Sequence, residues 1–200
     1  MPANLTPLVL ASASRYRREL LTPFAPDLKQ EAADVDESPQ AGEAPAGLAA
    51  RLASAKAEAV AARHTDAIVI GSDQVAALGD IALGKPGNHQ SAASQLAACS
   101  GESVCFYTAV AVIHQDAGFS ELHTDSTVVS FRELSSAEID HYLRIDEPWD
   151  CAGSFRAEGL GAVLFDAMET HDPSAIIGLP MIWLLGALRR AGFDPIGTPG

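Results

Sequence analysis

The chain has 200 residues, 48% of them hydrophobic, and a formal net charge of −13, with only three lysines among its 13 basic residues. That is enough apolar material for a sizeable core in one large domain, and too negative a field for general adhesion to nucleic acid or an anionic membrane. A polyanionic ligand would need a focused cluster of Arg and Lys, together with a divalent metal.

The apolar run Leu8 to Ala11 reads as a buried strand, and the pattern from Ser14 to Leu21 as a helix capped by Ser14. Three arginines, Arg15, Arg17 and Arg18, crowd the start of that helix. The partial positive charge at a helix N-terminus disfavours cations there by a few tenths of a kcal/mol each, roughly, unless an anion neutralises them. Free backbone N–H groups, the Ser12 hydroxyl and the arginines together would hold phosphate oxygens well. The plainer alternative is a solvated face with Arg15 beside Glu19.

Asp34, Asp36 and Glu37 follow in ADVDES, carboxylates of the kind a hard cation takes, although acidic loops are commonly just solvated. Residues 38–45 read as a surface loop and Ala46 to Arg63 as a long helix, with Lys56 on its inward stripe beside Leu48, Leu52 and Val60. Snorkelling is the ordinary account of such a lysine. A strand over Ala67 to Gly71 leads to Asp73, a carboxylate in an apolar run that needs a hydrogen bond, an ion partner or a metal unless it lies in a turn at the strand exit. Gly71 would admit close approach of a ligand or another backbone. Lys85 falls in a Gly-Pro turn, where loops present functional groups.

Further on, the patterns predict a helix over Gln90 to Cys99, a strand over Val104 to Ile113, a hairpin turn at Gln115 to Gly118, a helix over Ser136 to Arg144, a strand over Ala162 to Phe165, and a helix over Pro180 to Ala191 with proline first and Gly192 after its end. The alternation implies an α/β fold with a mixed sheet, one domain over 1–200 without a linker. The apolar stretch 175–188 is too short for a membrane span and is broken by Gly178 and Pro180, so it reads as core. Without the basic start of a secretory signal, the chain is expected in the cytoplasm. The three cysteines lack CxxC spacing, the histidines lack HxxxH or HxH spacing, and no GxxxxGK[ST], GxGxxG or GxSxG occurs.

In order and spacing, LVLASASRYRRELL, ADVDES, RLASAKAEA, VIGSDQVAALGDIALGKP, SGESVCFYTAVAV, VSFRELSSAEIDHYL, CAGSFRAEGLG and IIGLPMIWL resemble the Maf family of nucleoside triphosphate pyrophosphatases. The resemblance implies an elongated α/β fold, related to inosine triphosphatases, whose two lobes enclose a cleft. It also implies cleavage between the α and β phosphates, dependent on Mg²⁺ or Mn²⁺. By that pattern Ser12, Arg17, Arg18, Lys56 and Lys85 resemble the phosphate-binding set, Glu37 and Asp73 the metal-binding acids, and Asp73 the proton acceptor for water. Tyr16, Gln74 and Glu158 look like the specificity residues of the branch acting on 7-methyl-GTP. The sister branch, acting on dTTP and UTP, usually carries Arg, Thr and Gln there. A nucleotide-sensing role in septum formation is the competing expectation from another class. The expected partner is the nucleotide, with no nucleic acid or membrane and a homodimer left open. Arg15, Tyr16 and Thr170 depart from the usual Pro, Trp and Gly.

Overall fold

A computed structural model describes residues 6–157 and 159–196. Seven strands form one mixed sheet: β1 (Leu8–Ala11), β2 (Lys29–Gln30), β3 (Ile68–Leu78), β4 (Ile81–Leu83), β5 (Ser103–His114), β6 (Phe119–Phe131) and β7 (Phe165–Glu169). Five helices accompany them: α1 (Arg15–Leu21), α2 (Pro45–Ala61), α3 (His89–Cys99), α4 (Ser136–Asp146) and α5 (Met181–Arg190). The strand order is β2-β1-β3-β5-β6-β7, with β4 also on β3. β1 runs parallel to β2 and β3, while the β3–β5, β5–β6 and β6–β7 pairs are antiparallel. Among the described residues no helix is long and apolar enough to cross a membrane.

Side-chain alternation divides the core. On one face, Val9, Ala11 and Val69 pack with Val60 of α2, and Val75 and Ala109 with its Leu48, Leu52 and Ala53. The other face carries two separate clusters. Leu8, Leu10, Ile68, Ile70, Val110 and Val112 pack with Leu21 of α1 and Leu184 and Leu188 of α5. Ala76, Val104, Phe106 and Val129 pack with Leu96 of α3 and Ile139 and Leu143 of α4. A polar row separates the clusters, for Gln74 pairs with Thr108 and Thr108 with Asp125 across the sheet.

The hairpin forms as expected, with β5 and β6 joined through Gln115 to Gly118 and the Gly118 N–H donating to the Gln115 carbonyl at 2.9 Å. Three expectations change. β3 continues to Leu78 rather than ending at Gly71, because β5 pairs with it from Val69 to Leu78 and keeps the polar pair Asp73 and Gln74 in the ladder. The strand expected over Ala162 to Phe165 is a 3₁₀ turn at Leu160–Leu164 followed by β7. There the chain coils so tightly that a Cβ on Gly161 would lie 2.4 Å from the Arg156 carbonyl oxygen. Pro180 is the N-cap of α5 rather than its first helical residue. The two exposed amides are instead capped from outside, Ile182 N–H by Asp172 Oδ2 at 2.6 Å and Met181 N–H by Ser174 Oγ at 2.9 Å.

Candidate active site

One edge of β3 is shared unequally. β1 pairs with it only as far as Gly71, and β4 pairs with it only from Ala76, so on that edge Ser72 to Val75 have no strand neighbour. A cleft of about 760 Å³ opens at this gap, reached from both faces of the sheet, and Ser12, Arg17, Glu37, Lys56, Asp73 and Lys85 all line it.

Gly71 sets the depth of one wall. A Cβ there would lie 2.3 Å from the Ala53 carbonyl oxygen and 2.5 Å from the Ala57 nitrogen, so only glycine lets α2 come this near β3. The close approach is to another backbone, and it delivers Lys56 to the cleft. The buried Lys56 ammonium lies 2.7 Å from Asp73 Oδ1 and 2.6 Å from Glu37 Oε1. This is not snorkelling but a bridge between two acids from separate segments. The Asp73 side chain is 13% exposed and that of Glu37 57%. The hydrogen bond from Lys56 holds the Glu37 carboxyl below its ordinary value. Asp73 Oδ2 takes no part in this contact, and Asp73 lines the cleft.

Arg17 sits at the opposite wall. Its Nη1 donates to the Ser72 carbonyl at 2.9 Å and to Ser12 Oγ at 3.2 Å, and its Nε to the Gly178 carbonyl at 3.1 Å. Gly178, with φ +128°, is required here, since a Cβ would meet Arg17 Nε at 3.0 Å. Among the described residues every hydrogen-bond partner of this guanidinium is thus a neutral oxygen. Burial pushes its pKa down, while the more distant charges of Asp73 and Glu37 oppose the shift. An arginine stays protonated in a protein, so the result is a cation short of a counter-ion. Two amides at the helix start are engaged locally, Ser14 N–H donating to Ser12 Oγ and, as the expected cap requires, Arg17 N–H to Ser14 Oγ.

Comparison with known proteins bears on what the anion is. Residues 7–191 match the Maf-like protein family. The chain belongs to the Maf family. A 7-methyl-GTP pyrophosphatase of Albidiferax ferrireducens is 50% identical over 191 residues, 96% of each chain. One from Bordetella avium is 52% identical over 192 residues, again 96% of each, and one from Xanthomonas oryzae pv. oryzae is 52% identical over 187 residues, 93% of this chain and 97% of that one. The Staphylococcus aureus Ham1 structure aligns with 76% of this chain and 87% of its own, at 13% identity and a TM-score of 0.47.

At the other end of the cleft in this Maf protein, Tyr16 is half-buried, and the exposed Arg15 lies over its ring with Cζ 4.7 Å from the centroid while Nη2 donates to the Tyr16 hydroxyl at 2.8 Å. Gln74 also lines the cleft, but its Nε2 donates to Thr108 Oγ1 at 2.9 Å and to the carbonyls of Ala175 and Ile176, both at 3.0 Å. Its amide nitrogen thus holds the strap Ala175–Gly178, which in turn holds Arg17. Lys85 stands exposed at the rim. Glu158 lies outside the described residues.

Of the expected phosphate set, Arg18 alone is not brought to the cleft. It is exposed and does not line the cleft, because the 100° step of the helix turns it away when Arg17 faces inward. Arg156, which the sequence reading passed over, does line the cleft, and its Nη2 donates to the Asp146 carbonyl. Gln30 was also missed: its Nε2 donates to the carbonyls of Ser12 and Ser14 at 2.7 and 3.1 Å and so fixes the loop beneath Arg17. A lone glutamine in a polar run carries no sequence signal for that role.

Proposed function

We propose that this Maf protein is a nucleoside triphosphate pyrophosphatase that hydrolyses 7-methyl-GTP between its α and β phosphates, giving 7-methyl-GMP and pyrophosphate. The observation that carries the reading is the half-buried Arg17 guanidinium, bonded among the described residues only to neutral oxygens, in the same cleft as the Lys56–Asp73 pair. Such a cation is satisfied by phosphate oxygens, and Lys56, Lys85 and the Ser12 hydroxyl would share the remaining charge.

Asp73 is suited to act as general base. Oδ1 accepts from the Lys56 ammonium at 2.7 Å, and Oδ2 can accept a proton from a water directed at the phosphate chain. The water oxygen then bonds to the α-phosphorus as the bond from that phosphorus to the α–β bridging oxygen breaks, and the leaving pyrophosphate takes the electron pair under the positive charge of the cleft.

Glu37 and Asp73 are the residues that would hold a divalent cation. Their oxygens already gather around one positive charge, and they are hard donors. Among the described residues no group of three His, Cys, Asp or Glu could hold a metal alone, which suits Mg²⁺ or Mn²⁺ completed by phosphate oxygens and water. When bound, such an ion supplies further neutralisation of the phosphate charge.

The base assignment rests on Tyr16. Its ring already carries a planar cation, the Arg15 guanidinium, and an N7-methylated purine is another planar cation that can stack on an aromatic face. Glu158 is proposed to accept hydrogen bonds from the guanine edge. The test is product analysis with Mg²⁺ for the native chain and for Asp73→Asn. Equal amounts of 7-methyl-GMP and pyrophosphate are expected, falling about 10³-fold in the variant. Release of orthophosphate instead, or undiminished turnover in the variant, would reject the assignment.

A further inference from the structure

A second cavity, of about 540 Å³, lies between β6, the start of α5 and the segment His171–Asp172, and shares no lining residue with the catalytic cleft. Asp125 is its most unusual feature. The residue is only 8% exposed, lines the cavity, and its Oδ1 is buried without a hydrogen-bond partner among the described residues. Its Oδ2 faces His123 Nε2 at 3.8 Å, too far for a hydrogen bond. No lysine or arginine lines the cavity. By contrast Asp172, the other acid there, is fully used by Ser174 and Ile182. A buried carboxylate without a donor is costly, so something outside the chain is needed to satisfy it.

We propose that this cavity binds a small aliphatic primary amine, with its ammonium on Asp125. Three features select that chemistry. The free acceptor is one carboxylate oxygen, which suits a compact ammonium and not the two-pronged guanidinium fork. A metal ion is disfavoured, since Asp172, the other acid of the cavity, is already engaged by Ser174 and Ile182, which leaves Asp125 as its single unengaged carboxylate. The opposite wall is apolar: Trp183, stacked at 4.9 Å on His123, and the exposed Ile182 would cover a methylene stem. The net charge of −13 favours the approach of any such cation.

The experiment is calorimetric titration of the full chain with n-butylamine at constant ionic strength, alongside its uncharged N-acetyl derivative and with the His123 imidazole signals followed by NMR. Saturable one-to-one binding is expected, with a shift of the His123 signals, no binding of the acetylated probe, and at least a tenfold loss of affinity in Asp125→Asn. Should that variant fail to fold, the comparison of amine and amide on the native chain still decides. No saturable binding, equal binding of the two probes, or full affinity in Asp125→Asn would overturn the proposal and leave the oxygen to ordinary water.

Discussion

Replacing Lys56 by methionine removes the ammonium and keeps the bulk of the stem. The two acids it bridges then respond differently. Glu37 is more than half exposed and falls back on water, so its share of the loss stays below about 1 kcal/mol. Asp73, at 13% side-chain exposure, is left ionised and unpaired, a situation that costs about 3 kcal/mol. For a chain of 200 residues this lowers Tm by roughly 6–12 °C at pH 7. The double variant with Asp73→Asn should recover most of that loss, since no buried charge remains, while staying inactive. Thermal unfolding of the four members of the cycle measures the coupling directly. If Lys56→Met shifts Tm by less than about 2 °C and the cycle shows no coupling, the bridge is not what stabilises Asp73, and the reasoning fails.

Arg17→Ala should reduce kcat/KM by about 100-fold or more, while Arg18→Ala changes it less than about threefold, because only the first lines the cleft; steady-state kinetics with 7-methyl-GTP checks both. Gly71→Ala should cost about 3 kcal/mol by chemical denaturation and lower kcat, since the new methyl meets backbone atoms of α2 and displaces Lys56 from Asp73. The acid limb of the stability curve should carry the signature of Glu138. Its hydrogen bonds with Ser135 push its pKa down to about 2, from an ordinary 4.5, so its contribution is complete above pH 4.5 and lost as pH falls towards 2. Glu138→Gln should flatten that segment of an acid-unfolding titration; an unchanged slope would contradict the capping box at α4.

Much of this arrangement is written locally in the chain. β1, α1 with its Ser14 cap, α2, α3 and the β5–β6 hairpin follow from periodicity, capping and turn residues, and they survive with shifts of one or two residues. Lys56 was visible as a charge on an apolar stripe, and Asp73 as a carboxylate in an apolar run, but neither signal says that the two meet. That meeting depends on Gly71 and on the packing of α2, which are tertiary facts. The gap in β3 that opens the cleft is less legible still. It arises because β1 stops at Ala11 and β4 ends at Leu83, two events separated by seventy-two residues of chain. Arg18 illustrates the opposite failure. Three arginines in a row of four look equivalent in sequence, and helical rotation makes them unequal.

The central claim is most directly tested by the substrate order. kcat/KM should be measured with Mg²⁺ for 7-methyl-GTP, GTP, UTP and dTTP, with pyrophosphate as the product read. The account predicts that 7-methyl-GTP leads GTP by about tenfold, the worth of one cation–π contact in a partly desolvated cleft, and that Tyr16→Leu erases most of that lead. Faster turnover of UTP or dTTP than of 7-methyl-GTP would contradict it.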